Sequence, residues 1–189
     1  MSVCLVGMPG SGKSTVGRQL ARLLGWPLLD SDAEIERELG HSIRTHFEHH
    51  GEESFRALEE AMIAKLAARP HVVLATGGGA ILRESNRAAL KAPGNTVVYL
   101  RASVDDLLRR LRHDTQRPLL QDVDPAVKLR QLFAQRDPLY CAVADHVVDT
   151  GRSSVSAIAH LLAMQLELGP GGLHPAAGTA RHEGPTGSA

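Results

Sequence analysis

Short apolar runs alternate along the chain with stretches whose apolar residues recur at helical spacing. The runs are brief and partly β-branched, which is typical of strands, and they cover residues 3–6, 28–29, 72–75, 96–100 and 145–148. After the first run, Val16, Leu20, Leu23 and Leu24 form an apolar stripe that ends at Gly25. Similar stripes occupy residues 55–66 and 107–111. Because strands alternate with helices, the pattern predicts an α/β fold whose parallel sheet is covered by helices on both faces.

The chain length and the net charge limit the classes of protein to which the sequence can belong. The chain has 189 residues, which suits one domain, and its 21 basic residues offset its 21 acidic residues. Proteins that bind nucleic acid or anionic membranes usually carry a basic excess, so we expect neither partner. The sequence has no apolar run long enough to span a bilayer, and its first residues do not resemble a secretory signal. These features predict a cytoplasmic protein, and we expect a monomer because no apolar stripe is left over.

The two cysteines, Cys4 and Cys141, both have apolar neighbours in the sequence. Two cysteines are too few for a disulfide framework, so the pattern predicts two buried, reduced thiols. A disulfide or a reactive pair is the alternative.

Residues 7–14 read GMPGSGKS and match the phosphate-binding pattern G-x-x-x-x-G-K-[ST]. Glycines let the backbone wind tightly, so that successive N–H groups and the N-terminus of the next helix point at phosphate oxygens. Lys13 would place its charge on the transferred phosphate, and the Ser14 hydroxyl would bind Mg²⁺. No N-K-x-D motif specifies guanine, which favours ATP over GTP. The predicted nucleotide-binding residues are Gly10, Ser11, Gly12, Lys13, Ser14 and Thr15.

Two carboxylates, Asp30 and Asp32, follow the second predicted strand. Ligands gather at the carboxyl ends of strands in such sheets, so both should face the phosphate site. Asp30 could hold Mg²⁺ through its water shell, and Asp32 could accept a hydrogen bond from an attacking hydroxyl. Asp32 could also be the N-cap of a helix over residues 33–39, and the two roles are compatible.

The third predicted strand ends in three glycines, residues 77–79, which indicate a backbone closely approached by a ligand or else a plain turn. Arg56 lies at the edge of the apolar stripe, where Glu59 could orient its guanidinium; a solvated ion pair is the alternative. Arg136 closes a later helical stretch. If Arg56 and Arg136 converge near the glycines, their guanidinium groups would bind a carboxylate.

Two segments interrupt the alternation of strands and helices. Residues 113–125 are polar, contain Pro118 and Pro125, and form either a mobile lid or a plain connection between helices. Residues 169–189 hold six of the 18 glycines and little that is apolar, so we predict a disordered tail after a domain of residues 1–168.

Two clusters of polar residues have simple interpretations. His46, His49 and His50 have helical spacing, but no cysteine or further histidine pair supports a closed zinc site, so we expect a solvated helix face. The arginines between residues 109 and 117 lack interleaved aromatic residues, which favours an electropositive entrance for ATP over an RNA-binding surface.

The motifs GMPGSGKST, LLDSD, FRALEE, TGGGA, RPLL and RDPLY occur in this order, and together they resemble the shikimate kinase family over residues 2–165. The resemblance implies MgATP-dependent phosphorylation of the 3-hydroxyl of shikimate, in aromatic amino acid (chorismate) biosynthesis. It also implies the nucleoside-monophosphate-kinase type of fold, a five-stranded parallel sheet of order 2-3-1-4-5. Ser31 is a mild departure, because the family usually has threonine there.

The resemblance also assigns roles to individual residues. Arg117 would be a lid arginine that reaches the ATP phosphates, and Arg152 would lie near the adenine. The catalytic residues would be Lys13, Asp32 and Arg117, and the metal-binding residues Ser14 and Asp30. Shikimate would bind to Asp32, Arg56, Gly78 and Arg136, with the two arginines on its carboxylate.

Two other functions stay open on the sequence alone. One is another small-molecule kinase, such as a gluconate kinase, which has a D-x-D-like sequence at the end of its second strand. The triple glycine with Arg56 and Arg136 favours an acidic carbocycle over an open sugar acid as the acceptor. A nucleotide-dependent switch would hydrolyse ATP slowly without an acceptor, and it would not need the motifs that follow the second and third strands.

Overall fold

The computed structural model describes residues 1–111, 124–151 and 153–167. Most of the predicted lid, with Arg117, lies outside the described residues, as do Arg152 and the predicted tail over 169–189. The last two residues of the predicted lid are described: Asp124 caps a helix that begins at Pro125.

Within the described residues, five strands form one parallel sheet. The strands are β1 (Ser2–Val6), β2 (Leu28–Asp30), β3 (Val73–Ala75), β4 (Asn95–Arg101) and β5 (His146–Asp149). Their order is β2-β3-β1-β4-β5, and every neighbouring pair is parallel. This confirms the expected fold and strand order, and the apolar runs located each strand to within about one residue at either end.

The described part also contains seven α-helices and one 3₁₀ turn. The helices are α1 (Lys13–Leu24), α2 (Ser31–Leu39), α3 (Ile43–Ala67), α4 (Glu84–Leu90), α5 (Val104–Leu111), α6 (Pro125–Val143) and α7 (Val155–Glu167), and the 3₁₀ turn is Ala80–Leu82. No helix in these ranges is both long and apolar enough to cross a membrane.

The core has two layers because successive strand residues point to opposite faces of the sheet. Val3 and Leu5 of β1 pack with α1 and α7 on one face. Cys4 and Val6 pack with α2, α3, α5 and α6 on the other. Since all five strands are parallel, the segments that follow them lie along one edge of the sheet, and the site is built there.

The two cysteines differ in exposure. Cys4 is buried in β1, as predicted, but Cys141 is exposed on α6, so the prediction of two buried thiols is wrong for Cys141. Tyr140 and Val143 turn to the core, and successive residues of a helix are rotated by about 100°, which directs position 141 to solvent. Neither thiol forms a disulfide.

Candidate active site

The phosphate-binding loop, residues 7–14, connects the central strand β1 to the N-terminus of α1. Gly10 and Gly12 have φ angles of 83° and 96°, a backbone conformation that residues with a Cβ rarely adopt. A Cβ on Gly7 would lie 2.6 Å from the carbonyl oxygen of Leu100, so this glycine lets the loop pass close to β4. The glycines of the motif therefore allow the tight winding that presents main-chain N–H groups to phosphate.

The side chains of Lys13 and Ser14 extend from the start of α1. The Nζ atom of Lys13 is largely buried and donates hydrogen bonds to the carbonyl oxygens of Gly7 (2.8 Å) and Met8 (2.9 Å). The Ser14 hydroxyl donates to Oδ2 of Asp30 at 2.9 Å. The structure thus brings together the two residues predicted to hold Mg²⁺, and both offer the oxygen ligands that this cation prefers.

Asp30, rather than Asp32, is the N-cap of α2. Its Oδ1 accepts hydrogen bonds from the main-chain N–H groups of Asp32 (3.1 Å) and Ala33 (3.3 Å). The N-cap interpretation of Asp32 is therefore wrong, and Asp32 lies in the first turn of the helix. Asp30 serves two partners at once, since its other oxygen accepts the bond from Ser14.

The three glycines after β3 make room for side chains of the site. None of them has a positive φ. A Cβ on Gly77 would lie 2.5 Å from Oδ1 of Asp32, and one on Gly78 would lie 2.7 Å from Cδ of Pro9. A Cβ on Gly79 would collide with the guanidinium of Arg56. The sequence predicted that a ligand approaches this backbone; the groups that approach it in the structure are side chains of the protein itself.

Ser31 ties the ends of β2 and β3 together. Its buried hydroxyl accepts a 3.0 Å hydrogen bond from the N–H of Gly77. The residue that departs mildly from the family pattern thus retains a hydroxyl, and that hydroxyl satisfies a buried main-chain donor.

Arg56 and Glu59 form a buried pair on α3. Nη1 of Arg56 donates to Oε2 of Glu59 at 2.6 Å, and Nη2 donates to the more exposed Glu52 at 3.2 Å. The Arg56 and Glu59 side chains are 12% and 1% exposed, so the solvated ion pair considered above is wrong. Burial raises the pKa of Glu59 and outweighs the opposing charge of Arg56. Glu59 does orient the Arg56 guanidinium.

Arg136 reaches the same region from α6. Its side chain is buried, and its Nε atom makes no hydrogen bond to another described residue. The charge of Arg136 lowers the pKa of Glu59 and the charge of Asp32 raises it, and Asp32, Glu59 and Arg136 line the same cleft. The structure therefore brings Asp32, Arg56 and Arg136 together around Glu59.

One cleft of about 1520 Å³ joins the phosphate-binding loop to this arginine pair. Asp30, Asp32 and the triple glycine also line this cleft. Of the predicted site residues that the structure describes, the cleft is lined by Gly10, Ser11, Gly12, Lys13, Ser14, Thr15, Asp30, Asp32, Arg56, Gly78 and Arg136.

Two residues of this region were not singled out by the sequence reasoning. The Tyr140 hydroxyl donates to the carbonyl oxygen of Gly78 at 2.6 Å, and its position four residues after Arg136 could have placed it on the same helix face. Arg110, treated above only as one of a cluster, donates to the carbonyl oxygens of Gly10 (3.2 Å) and Thr150 (3.1 Å).

His46 is buried, so the expectation of a solvated histidine face is wrong for this residue. Its Nε2 lies 3.0 Å from Oγ of Ser54, and its ring stacks on His41 with centroids 5.8 Å apart. Gly51, with φ 78° and ψ 175°, interrupts the helical geometry of α3 between His46 and Ser54. His49 and His50 are exposed, and the described residues contain no group of three side chains that could hold a metal ion.

A parallel sheet with a phosphate-binding loop at its central strand, facing a buried guanidinium pair across one cleft, defines a P-loop kinase that acts on a small molecule. Comparisons with known proteins give the family. Residues 9–167 match the family described as shikimate kinase. The chain belongs to the shikimate kinase family.

Individual relatives agree with this assignment. The shikimate kinase of Cupriavidus pinatubonensis is 55% identical over 163 residues, which cover 86% of this chain and 84% of the relative. The shikimate kinase of Nitrosospira multiformis is 52% identical over 167 residues, covering 88% and 85%. The structure of shikimate kinase from Acinetobacter baumannii in complex with shikimate has 46% identity and a TM-score of 0.83, covering 88% of this chain and 92% of that chain.

Proposed function

We propose that this chain transfers the γ-phosphoryl group of ATP to the 3-hydroxyl of shikimate, in aromatic amino acid biosynthesis. The observation that carries the proposal is the single cleft that contains the phosphate-binding loop, Asp32 and the Arg56–Arg136 pair. Membership in the family supports the same reaction, and the Acinetobacter baumannii relative was solved in complex with shikimate.

At the nucleotide end, the main-chain N–H groups of the loop would bind the β- and γ-phosphates. Lys13 would exchange its bonds to the Gly7 and Met8 carbonyls for phosphate oxygens, because a charged acceptor binds an ammonium group more strongly than a neutral carbonyl does. Ser14 and Asp30 would hold Mg²⁺, Asp30 through water. When bound, Mg²⁺ would neutralise negative charge on the phosphates.

At the acceptor end, Arg56 and Arg136 would bind the shikimate carboxylate, since a guanidinium fork matches a carboxylate in geometry and charge. The main chain of Gly78, held by Tyr140, would line the ring. Asp32 would accept a hydrogen bond from the 3-hydroxyl, orient it toward the γ-phosphate and take its proton late in the transfer.

Two further arginines complete the proposed site from outside the described residues. Arg117 would reach the ATP phosphates from a lid and exclude water when the lid closes, which suppresses hydrolysis of ATP. Arg152 would lie near the adenine. Both roles rest on the family resemblance.

We also propose that the enzyme works as a cytoplasmic monomer without a nucleic-acid or membrane partner. The balanced charge of the sequence supports the absence of nucleic-acid and anionic-membrane partners.

The test is phosphoryl transfer from MgATP to shikimate, read by the mass of the product, with gluconate as the control acceptor. We expect phosphorylated shikimate and no phosphorylated gluconate. Asp32→Asn should abolish transfer while ATP still binds. Transfer to neither acceptor would refute the proposed reaction, and normal turnover by Asp32→Asn would remove Asp32 from its catalytic role.

Arg117→Ala tests the lid role separately. We expect a strong loss of kcat with shikimate affinity nearly intact, because Arg117 would contact only the transferring phosphate. A wild-type kcat in this variant would refute the role.

A further inference from the structure

Helix α6 contains a proline two residues after Arg136. Pro138 has no N–H group, so it cannot donate a hydrogen bond to the carbonyl of Ala134 four residues earlier, and its ring crowds that carbonyl. A proline inside a helix weakens it at that turn. The direction of the Arg136 side chain therefore depends on the contacts that hold α6 on either side of Pro138.

Asp137, which lies between Arg136 and Pro138, provides such contacts. Its Oδ1 accepts hydrogen bonds from the Tyr99 hydroxyl at 2.8 Å and from Nε of Arg101 at 2.9 Å. Its Oδ2 accepts from Nη2 of Arg101 at 2.9 Å. The Asp137 side chain is 17% exposed and the Arg101 side chain 46%, and the bidentate geometry makes this pair stronger than a surface pair with a single contact.

The same two residues of β4 also pack against α6 through their apolar surfaces. The Arg101 guanidinium lies over the Phe133 ring, 5.8 Å from its centroid, one turn before Asp137. The Tyr99 ring stacks on Tyr140 with centroids 4.8 Å apart, shortly after Pro138. Strand β4 thus holds the helix before, at and after the weakened turn.

The rotation of α6 decides where Arg136 points. Consecutive helical residues are rotated by about 100°, so Asp137 can face the sheet while Arg136 faces the cleft. The Arg136 Nε makes no hydrogen bond to another described residue, and the side chain interacts with the charge of Glu59 and with the Tyr140 hydroxyl. Asp137, the next residue along α6, directs its polar contacts to β4 instead of the cleft.

We propose that Asp137 is a positioning residue for Arg136, holding the rotation of α6 through Arg101 and Tyr99 so that the guanidinium faces the acceptor site opposite Arg56. This inference rests on the proposed role of Arg136 in binding the shikimate carboxylate. Asp137 itself touches neither substrate.

The test measures KM for shikimate, KM for ATP and kcat in Asp137→Ala, Asp137→Asn and Arg136→Ala. For Asp137→Ala we expect the shikimate KM to rise about tenfold, with the ATP KM and kcat within about twofold of wild type, because a misplaced arginine weakens acceptor binding. Asp137→Asn retains an acceptor for the Tyr99 hydroxyl, so it should show a smaller rise, about threefold.

Three further variants separate positioning from general loss of stability. Arg101→Ala should also raise the shikimate KM, by less than Asp137→Ala because the Tyr99 bond remains, and the double variant should be no worse than Asp137→Ala, which already removes the pair. Asp145→Ala is the matched control: this carboxylate accepts a 2.7 Å bond from the N–H of Val97 in β4 just beyond the end of α6. It should lower the melting temperature without changing the shikimate KM.

The outcomes distinguish this inference from the proposed function. If Arg136→Ala raises the shikimate KM and Asp137→Ala does not, the positioning role is refuted and the proposed site stands. An unchanged shikimate KM in Arg136→Ala would refute the assignment of Arg136 and the inference with it. Equal effects of Asp137→Ala and Asp145→Ala would also overturn the inference, and Asp137→Asn carries the test if Asp137→Ala does not fold.

Discussion

The two cysteine residues show how burial controls reactivity. Cys4 is fully buried in β1, and burial, together with the charge of Asp145, raises the pKa of its thiol to about 12. Because the thiolate is the reactive form, we expect Cys4 to be inert near neutral pH while exposed Cys141 reacts. Titration with a chromogenic disulfide reagent should give one thiol per native chain and two per unfolded chain.

The variant Cys141→Ala is the control for this experiment. It should show no fast-reacting thiol when folded and one when unfolded. Rapid labelling of folded Cys141→Ala would contradict the burial of Cys4.

The absence of a side chain at Gly79 leaves space for the Arg56 guanidinium, and a substitution there tests whether this space is needed. A Cβ on this residue would collide with the Arg56 guanidinium, which must then shift because it is the flexible partner. We expect Gly79→Ala to raise the shikimate KM about tenfold with little change in the ATP KM, measured by steady-state kinetics.

A double variant checks that this effect acts through Arg56. Gly79→Ala combined with Arg56→Ala should be no worse than Arg56→Ala alone, because the displaced group is already absent. An unchanged shikimate KM in Gly79→Ala would show that the glycine is not needed to seat Arg56.

At the scale of elements, the path of α3 depends on a break in its helical geometry at Gly51. Its φ of 78° and ψ of 175° lie in a region that essentially only glycine populates. We expect Gly51→Ala to lower the free energy of unfolding by about 1–3 kcal/mol in urea denaturation, because the new Cβ strains this backbone. The exposed helical substitution Ala64→Ser should change it by less than about 0.5 kcal/mol. Equal stability of Gly51→Ala and wild type would contradict a required break.

The apolar pattern allowed the five strands and the parallel sheet to be predicted, because apolar runs and stripes reflect burial directly, whereas the strand order came from the family resemblance. The contact between Arg56 and Glu59 was also predictable, since residues three apart on a helix are neighbours. Contacts between residues far apart in the sequence could not be predicted in this way. The bond from Gly77 to Ser31 joins residues 46 positions apart, and no local pattern indicates it.

The wrong predictions for Asp32, His46 and Cys141 have one cause. The exact start, interruption and rotation of each helix decide whether a residue is buried, exposed or at the N-cap. Asp30 takes the N-cap because α2 begins two residues earlier than expected, directly after β2. His46 is buried because α3 is interrupted at Gly51, which lets Ser54 approach it. Cys141 is exposed because of its phase on α6. The sequence pattern predicts which residues are spaced along one helix, but it does not predict how that helix is rotated relative to the sheet.

At the scale of the whole molecule, separate parts of the chain supply the two ends of one cleft. The loop between β1 and α1 forms the nucleotide end. Helices α3 and α6 supply Arg56 and Arg136, and the sheet holds these helices in place. Transfer then depends on alignment of two anionic substrates and on neutralisation of their charge, rather than on a covalent intermediate with the protein.

The most direct test of this account is the ratio of kcat/KM for shikimate to kcat/KM for its methyl ester, measured in the wild type and in Arg136→Ala. The ester keeps the ring and the 3-hydroxyl but removes the negative charge of the carboxylate. In the wild type we expect shikimate to be preferred by at least about 30-fold, because the ester leaves the buried guanidinium of Arg136 without its anionic partner. In Arg136→Ala that preference should shrink at least about tenfold. An equal ratio in both enzymes would contradict the placement of the acceptor carboxylate at the arginine pair.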